Sequence, residues 1–305
     1  MIGFGQNVTI PDSYFKAYLV GNTAINTNGD TEIQLSEAAA FNGAITCAGL
    51  GISNLTGIEA FTALTALYCY YNQLTSLDVS QNTALTVLDC AGNQLSNLDV
   101  SQNTALDELW CDDNNLTSLD VSGANALTEL YCDGNQLTSL DVSSANALNT
   151  FDCSRNQLTS LDVSQNTALT ELDCYENQLK CLDISYNIIL DEVGCYNNIL
   201  EQLNTRNGVW AIDINAEINN LTCVEVDNIG YATANWGGSF DSFVSFSTNC
   251  NYTTPCVTVS AIQEHTTNKE LLKITNLLGR ETKATNQLLF YLYDDGTVEK
   301  KIIIE

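Results

Sequence analysis

The chain has few of the residues that break, charge or anchor a polypeptide. Of its 305 residues two are proline, one is histidine and one is methionine. Lysine and arginine number ten against 37 acids, a formal net charge of −27. Nucleic acid and anionic membrane surfaces would be repelled and are not expected as direct partners. Divalent cations and basic surfaces suit such a charge. No apolar run approaches the ~18 residues of a membrane-spanning helix, so no transmembrane segment is expected. The one histidine, His265, lies near the C-terminal segment and reads as linker. No nucleophile–base pair or phosphate-binding loop stands out, and no enzyme is expected. Acid pairs such as Glu108 and Asp112 could imitate a glycosidase dyad, but they belong to a repeat that generates acids throughout.

What the chain does have is repetition. The segment "NQLTSLDVSQNTAL" at Asn72 has near-copies at Asn93, Asn114, Asn135, Asn156 and Asn177, each twenty-one residues on. Units aligned on Leu64, Leu85, Leu106, Leu127, Leu148 and Leu169 share one pattern: Leu-x-x-(Leu or Phe)-x-Cys-x-x-Asn-x-Leu-x-x-Leu-Asp-(Val or Ile)-Ser. A diverged unit follows at Leu190. A fixed period in the twenties means stacked units, each burying its apolar edge against its neighbours. Within each unit Leu74-x-x-Leu77-x-Val79-x-x-Asn82 repeats the layout of Leu64-x-x-Leu67-x-Cys69-x-x-Asn72, giving two short alternating segments with apolar residues inward. The pattern resembles the leucine-rich repeat family over residues 44–222, and its short bacterial class with nested half-repeats. The resemblance implies a mainly β solenoid of parallel arrays facing across a thin core, with a short helical cap.

Three columns of the repeat carry distinct expectations. Asn72 and its equivalents end the first segment, where buried turn backbone needs partners and an amide can donate and accept. The periodic cysteines, Cys69 to Cys195 with Cys47 before them, point inward as small hydrophobes. They run along the core instead of converging on a metal, and pairing them would strain adjacent parallel strands. Asp78, Asp99, Asp120, Asp141, Asp162 and Asp183 form an outward row about a strand spacing apart. Neighbouring charges would repel by roughly 1 kcal/mol in water. One reading is a solvated strand face, hydrogen-bonded by flanking hydroxyls; another is a row that loosely collects divalent cations.

The outward positions of the first segment vary from unit to unit. They include Tyr68 and Tyr70; Glu108, Trp110 and Asp112; Glu129, Tyr131 and Asp133; Asp152; and Asp173 with Tyr175. Acids interleaved with Trp and Tyr suit contact with a protein or carbohydrate ligand. Neutral variation on an exposed face is the other reading. A purely structural or matrix protein that collects calcium on acidic faces is the alternative to a recognition protein.

The ends differ from the middle. "IGFGQ" in residues 1–6 looks like the tail of a signal peptide. Residues 7–43 read as an N-terminal cap with a helix carrying Tyr14, Phe15, Tyr18 and Leu19 at helical spacing. Within it "NTNGDTEIQLSE" resembles an EF-hand or dockerin loop. The resemblance implies calcium held by Asn26, Asn28, Asp30, the Glu32 carbonyl and Glu37; Asn26 and Thr31 replace the usual Asp and Gly. "ISNLTGIEAFTALTAL" resembles the first unit of internalin-like repeats. Residues 223–256 look like the C-terminal cap of similar bacterial repeat proteins, which implies a Cys223–Cys250 disulfide; Cys181 and Cys256 are left unassigned. Residues 257–305 read as strands at Leu271 to Leu277, Leu288 to Tyr293 and Val298 to Ile304. "LLGRETK" and "LFYLYDDGTVEKK" resemble the type IX secretion sorting domain of Bacteroidetes. That implies export by the type IX machinery and a secreted or outer-membrane-attached protein.

Overall fold

A computed structural model describes residues 5–209, 211–252, 256, 271–276, 288–293 and 298–302. The chain divides into two units, Met1–Ser260 and Ala261–Glu305. The first is a parallel-strand solenoid, as the repeat predicts.

The cap opens it. Helix α1 (Ser13–Gly21) begins at Asp12, whose Oδ1 accepts the Tyr14 and Phe15 amides, while Phe15 and Leu19 are buried. The other oxygen of Asp12 accepts the Ser53 amide and hydroxyl, tying the helix start to the first turns of the solenoid. Helix α2 (Leu35–Ala40) follows with a capping box between Gln34 and Glu37.

Each repeat then contributes a three-residue strand: β1 (Ala44–Thr46), β2 (Ala66–Tyr68), β3 (Val87–Asp89), β4 (Glu108–Trp110), β5 (Glu129–Tyr131), β6 (Thr150–Asp152) and β7 (Glu171–Asp173). After β8 (Cys181–Asp183) come β9 (Glu192–Gly194), β10 (Gln202–Asn204), β11 (Asp213–Asn215) and β12 (Cys223–Glu225). Helix α3 (Ile229–Asn235) and β13 (Ser245–Ser247) close the unit. Nine strands form one parallel sheet in the order β1-β2-β3-β4-β5-β6-β7-β9-β11. Registers are identical from unit to unit: Leu88 lies between Leu67 and Leu109, and Trp110 lies beside Tyr131.

The core is a set of ladders. Cys47, Cys69, Cys90, Cys111, Cys132, Cys153, Cys174 and Cys195 are all buried and unpaired, as their inward position predicts. Every unit turns at one left-handed residue, such as Tyr71, Asp113 or Arg155, placed just before the asparagine. That asparagine works at both ends. Asn114 Oδ1 accepts the Leu95 amide at 2.9 Å, and its Nδ2 donates to the carbonyls of Cys90 and Cys111. The same bonds recur at Asn93, Asn135, Asn156, Asn177, Asn198 and, with Ala216 in place of the cysteine, at Asn219. The second column, Asn82, Asn103, Asn166 and Asn187, uses only its N–H groups; its buried Oδ1 atoms have no hydrogen-bond partner in the protein. Ala124 and Ala145 replace it in two units. A column that satisfies half its polar groups is easier to interrupt than one that satisfies all.

The second array departs from expectation. Strands opposite the main sheet form only at the far end, in the order β13-β12-β10-β8. Upstream, one isolated bridge joins Asp99 and Asp120. What distinguishes the paired strands is a strap. Disulfides join Cys223 of β12 to Cys250 and Cys181 of β8 to Cys256. Between them the Tyr252 hydroxyl donates to the Cys223 carbonyl at 2.7 Å and accepts the Leu203 amide of β10. Cys250, Tyr252 and Cys256 thus tie to β12, β10 and β8, which holds those strands at ladder spacing.

The unit Ala261–Glu305 contains an antiparallel meander of β14 (Leu271–Asn276), β15 (Leu288–Tyr293) and β16 (Val298–Ile302), on the segments read as strands from sequence. The signal-like residues 1–4 and the motif residues 277–287 lie outside the described residues.

Candidate functional site

The acids of the repeat fall into two rows with different chemistry. In the turn-side row each aspartate accepts the amide two residues on. Asp78 takes Ser80 at 3.0 Å, and Asp99, Asp120, Asp141, Asp162 and Asp183 take their serines at 2.9 Å. These are Asx turns. The serine hydroxyl and amide hold the carboxyls of Asp78, Asp99 and Asp120 below the usual aspartate value, and repulsion from neighbours is a lesser influence. Each carboxyl of this row is thus engaged by a local hydrogen bond, as a solvated strand face with flanking donors would have it.

The other row stands on the outward face of the nine-stranded sheet, in three columns. One runs Glu108, Glu129, Thr150, Glu171, Glu192 across β4, β5, β6, β7 and β9. Beside it run Trp110, Tyr131, Asp152, Asp173 and Gly194, and then Asp112, Asp133, Ser154, Tyr175 and Tyr196. Aromatics occur in pairs on adjacent strands. Trp110 meets Tyr131 edge-to-face with centroids 5.4 Å apart, and Tyr175 stacks parallel on Tyr196 at 4.5 Å. The two pairs lie diagonally, each beside a pair of aspartates.

These acids are crowded. Burial pushes Asp89 up to about 6. Burial, with Asp133 beside it, pushes Asp112 up to about 6. Asp173 is pushed up to about 7 by burial and by Asp152, Glu171 and Glu192. Glu108 is raised by burial and then by Glu129 and Asp107. Burial also raises Asp152, although the amide and hydroxyl of Ser154 donate to it. Asp173 reaches over β9, where a Cβ at position 194 would meet its Oδ1 and oblige the carboxylate to swing aside. Among the described residues, Arg155 is the cation paired with strand-side acids. Its guanidinium donates to Asp133 and, at 3.1 Å, to Asp113 two units away. Gly134 lies between them with φ +62°, and a Cβ there would crowd Asp113 and Arg155.

Tyr68 and Tyr70 belong to the same face but stand apart, on the far side of β3. Tyr70 packs edge-on against Tyr71 at 5.5 Å. Sequence reasoning did not select Glu192, Gly194, Tyr196 or Arg155. The first three lie in the diverged unit but occupy the same columns and could have been found by extending the alignment.

The expected calcium loop lies between α1 and α2, and its oxygens are engaged by the protein itself. Asn26 Oδ1 accepts the Gly29 amide, Asn28 Oδ1 the Asp30 amide and Asp30 Oδ1 the Glu32 amide. The Glu32 side chain pairs with Lys16 at 2.7 Å. Burial opposes the charge on Glu37, but the Gln34 amide, the Thr27 hydroxyl and the Asn28 and Thr27 amides outweigh it and lower its pKa. The set is oxygen-rich and ends on an acid, as calcium needs. Each carboxylate has further lone pairs to offer.

No family model and no curated protein matches this chain. Solved structures do. The functional domain of InlJ from Listeria monocytogenes, which includes a cysteine ladder, is 32% identical with a TM-score of 0.54 over 75% of this chain and 59% of that one. Internalin C2 of the same organism is 16% identical, with a TM-score of 0.57 over 81% of this chain and 100% of its own. A leucine-rich repeat protein of Leptospira interrogans is 22% identical, with a TM-score of 0.51 over 64% and 51%. The chain spans 59% of the InlJ domain's length. The fold is that of the bacterial leucine-rich repeat solenoids. Among the described residues no helix is long and apolar enough to cross a membrane.

Proposed function

We propose that this chain is a secreted or cell-surface recognition protein without catalysis of its own. It binds a protein or glycan ligand through the outward face of the nine-stranded sheet. One observation carries the reading. The inward columns repeat with little change, while the outward columns gather two aromatic pairs and crowded acids that no fold requirement explains. A face that only had to be soluble would do better with spaced charges. Residues 257–305 serve in this reading as a type IX sorting segment, supported by the sequence resemblance of "LLGRETK" and "LFYLYDDGTVEKK".

The test is an array of proteins and glycans probed with the purified chain, repeated with Trp110→Ala/Tyr131→Ala. A ligand that binds the parent and not the variant supports the face. Ligands that bind both equally place recognition elsewhere.

A second reading is a matrix protein that gathers calcium, with Asn26, Asn28, Asp30, the Glu32 carbonyl and Glu37 as its ordered site. The helix–loop–helix setting of residues 13–40 favours it.

A further inference from the structure

We infer that the five-strand patch from β4 to β9 recognises a cationic polypeptide, with arginine or lysine side chains seated at the two aromatic pairs. The inference rests on the recognition reading and narrows its ligand from protein or glycan to a basic peptide segment.

Charge complementarity chooses the partner. The patch holds four glutamates in one column, while Asp112, Asp152 and Asp173 flank the aromatics in the other two. Its cation, Arg155, is already bound to Asp133 and Asp113. Bringing positive charge to this face relieves repulsion that the fold leaves in place. A neutral glycan offers no such relief, and an acidic glycan or nucleic acid adds to it. The aromatic geometry agrees. Tyr175 and Tyr196 stack face to face, so each covers one face of the other. A guanidinium can lie on the outer face or edge of such a pair beside a carboxylate.

Spacing follows from the sheet. The midpoint of Trp110–Tyr131 and that of Tyr175–Tyr196 are three strands apart along the sheet and two residues apart along the strands. At ordinary sheet dimensions that is about 15 Å. An extended peptide covers this in four or five residues. Two basic side chains four residues apart would reach both pairs; adjacent ones would reach one.

The probes are three fluorescent twelve-residue Gly/Ser peptides. One carries three arginines at four-residue spacing, one carries three contiguous arginines, and one carries three glutamates. Binding to the full chain is read by anisotropy at low and physiological salt. The spaced arginine peptide is expected to bind at least threefold more tightly than the contiguous one, and the glutamate peptide not at all. Asp152→Asn/Asp173→Asn should weaken the spaced peptide at least tenfold. Asp99→Asn/Asp120→Asn, the same charge change on the turn-side row, should weaken it less than twofold. Thermal melts check that both variants fold, and Trp110→Ala/Tyr131→Ala gives a charge-neutral second variant. Equal losses in the two Asp→Asn pairs would overturn the inference, because attraction would then depend on net charge alone. So would equal binding of the spaced and contiguous peptides. A neutral ligand captured on the array and lost in Trp110→Ala/Tyr131→Ala would overturn the cationic partner while keeping the recognition face. Array ligands indifferent to that variant would remove the face itself.

Discussion

The turn-side and strand-side aspartates share a residue type, a period and a solenoid, yet they respond oppositely to their surroundings. Asp120 has Ser122 two residues on, and its carboxyl sits below the ordinary value. Asp112 and Asp173 have no such donor, and theirs sit at about 6 and 7. Asp152 is the internal control. It stands among the strand-side acids but keeps a serine at the same offset, and there the bonds work against the burial. Burial is what separates the rows: it is the largest cause of the raised values of Asp89, Asp112, Asp152 and Asp173, and it outweighs the local donors that Asp89 and Asp152 have. A repeat can carry acids at every turn if each unit leaves them in solvent with its own hydrogen bonds; a row drawn into the sheet face stores unrelieved charge.

The contrast has a sign in pH. A carboxyl raised in the folded state binds its proton more readily there than in the unfolded chain, so the fold is favoured where the group is protonated. For Asp89, Asp112 and Asp173 stability falls as pH rises from about 4 through about 6 to 7. For Asp78, Asp99, Asp120 and Glu37 the stabilisation is present above the unfolded value near 4 and is lost as pH falls through the lower folded values. The melting temperature should thus peak near pH 4 to 5, not at neutrality. A flat profile from pH 5 to 8 would break the comparison.

The largest single effect is expected where the strand-side row has its one counter-ion. Arg155→Met leaves Asp133, which is 8% exposed, without its partner. The loss should be about 2 kcal/mol at pH 8, below the value for a fully buried pair because Arg155 is half in solvent. Urea denaturation measures it, and a loss below ~0.5 kcal/mol would mean that Asp133 is indifferent to charge. Gly134→Ala should weaken the same bridge, since a Cβ would crowd both ends.

Asp173→Asn should stabilise, by about 1 kcal/mol at pH 8 and by much less at pH 5. The raised pKa alone would suggest more, but the group is only half buried and solvent screens it. Destabilisation at pH 8 would show that the carboxylate has a partner and that the strand-side row is structural like the other.

On the turn side, Asp120→Asn should fall within ~0.5 kcal/mol of the parent, because the amide oxygen still accepts Ser122. Asp120→Ala should cost about 1 kcal/mol, the worth of one such bond. If Asn and Ala cost the same, the turn does not depend on the bond.

Much of this was legible in the sequence, and the reasons are physical. The asparagine ladder, the cysteine column and the main sheet are fixed by period and alternation, which sequence displays directly. Half of the strap was legible, since the resemblance of residues 223–256 to a bacterial cap implies the Cys223–Cys250 bond that the structure has; the Cys181–Cys256 bond was not, because it joins segments 75 residues apart and periodicity says nothing of it. One signal was available: Cys181 and Cys223 occupy the same repeat column, the position of Ser76 and Ser160, which is outward on the second segment. The expected second array is paired as strands only at the far end; upstream its units are joined by single bonds, such as the Gln94 amide to the Leu74 carbonyl, and alternation cannot distinguish a ladder from a row of Asx turns. The clustering of aromatics into diagonal pairs depends on register, and so on knowing that each unit sits directly beside the next.

The smallest effect separates the readings of the turn-side row. If its carboxylates are occupied by serine donors, a chelator should change the melting temperature of a Glu37→Gln variant by less than a degree. If the row collected calcium, the same variant would lose stability on chelation, and Asp120→Asn in that background would remove part of the loss. Glu37→Gln comes first because the cap loop would otherwise supply its own calcium response. Calcium binding only to the folded chain raises its melting temperature with concentration. In the parent, titration with calcium should therefore raise the melting temperature, and in Glu37→Gln most of the rise should vanish. A rise that persists in Glu37→Gln but disappears in a multiple Asp→Asn change along Asp99, Asp120 and Asp141 would assign the cation to the row. It would also reverse the comparison, since the hydrogen-bonded aspartates would then be the ones with charge to spare.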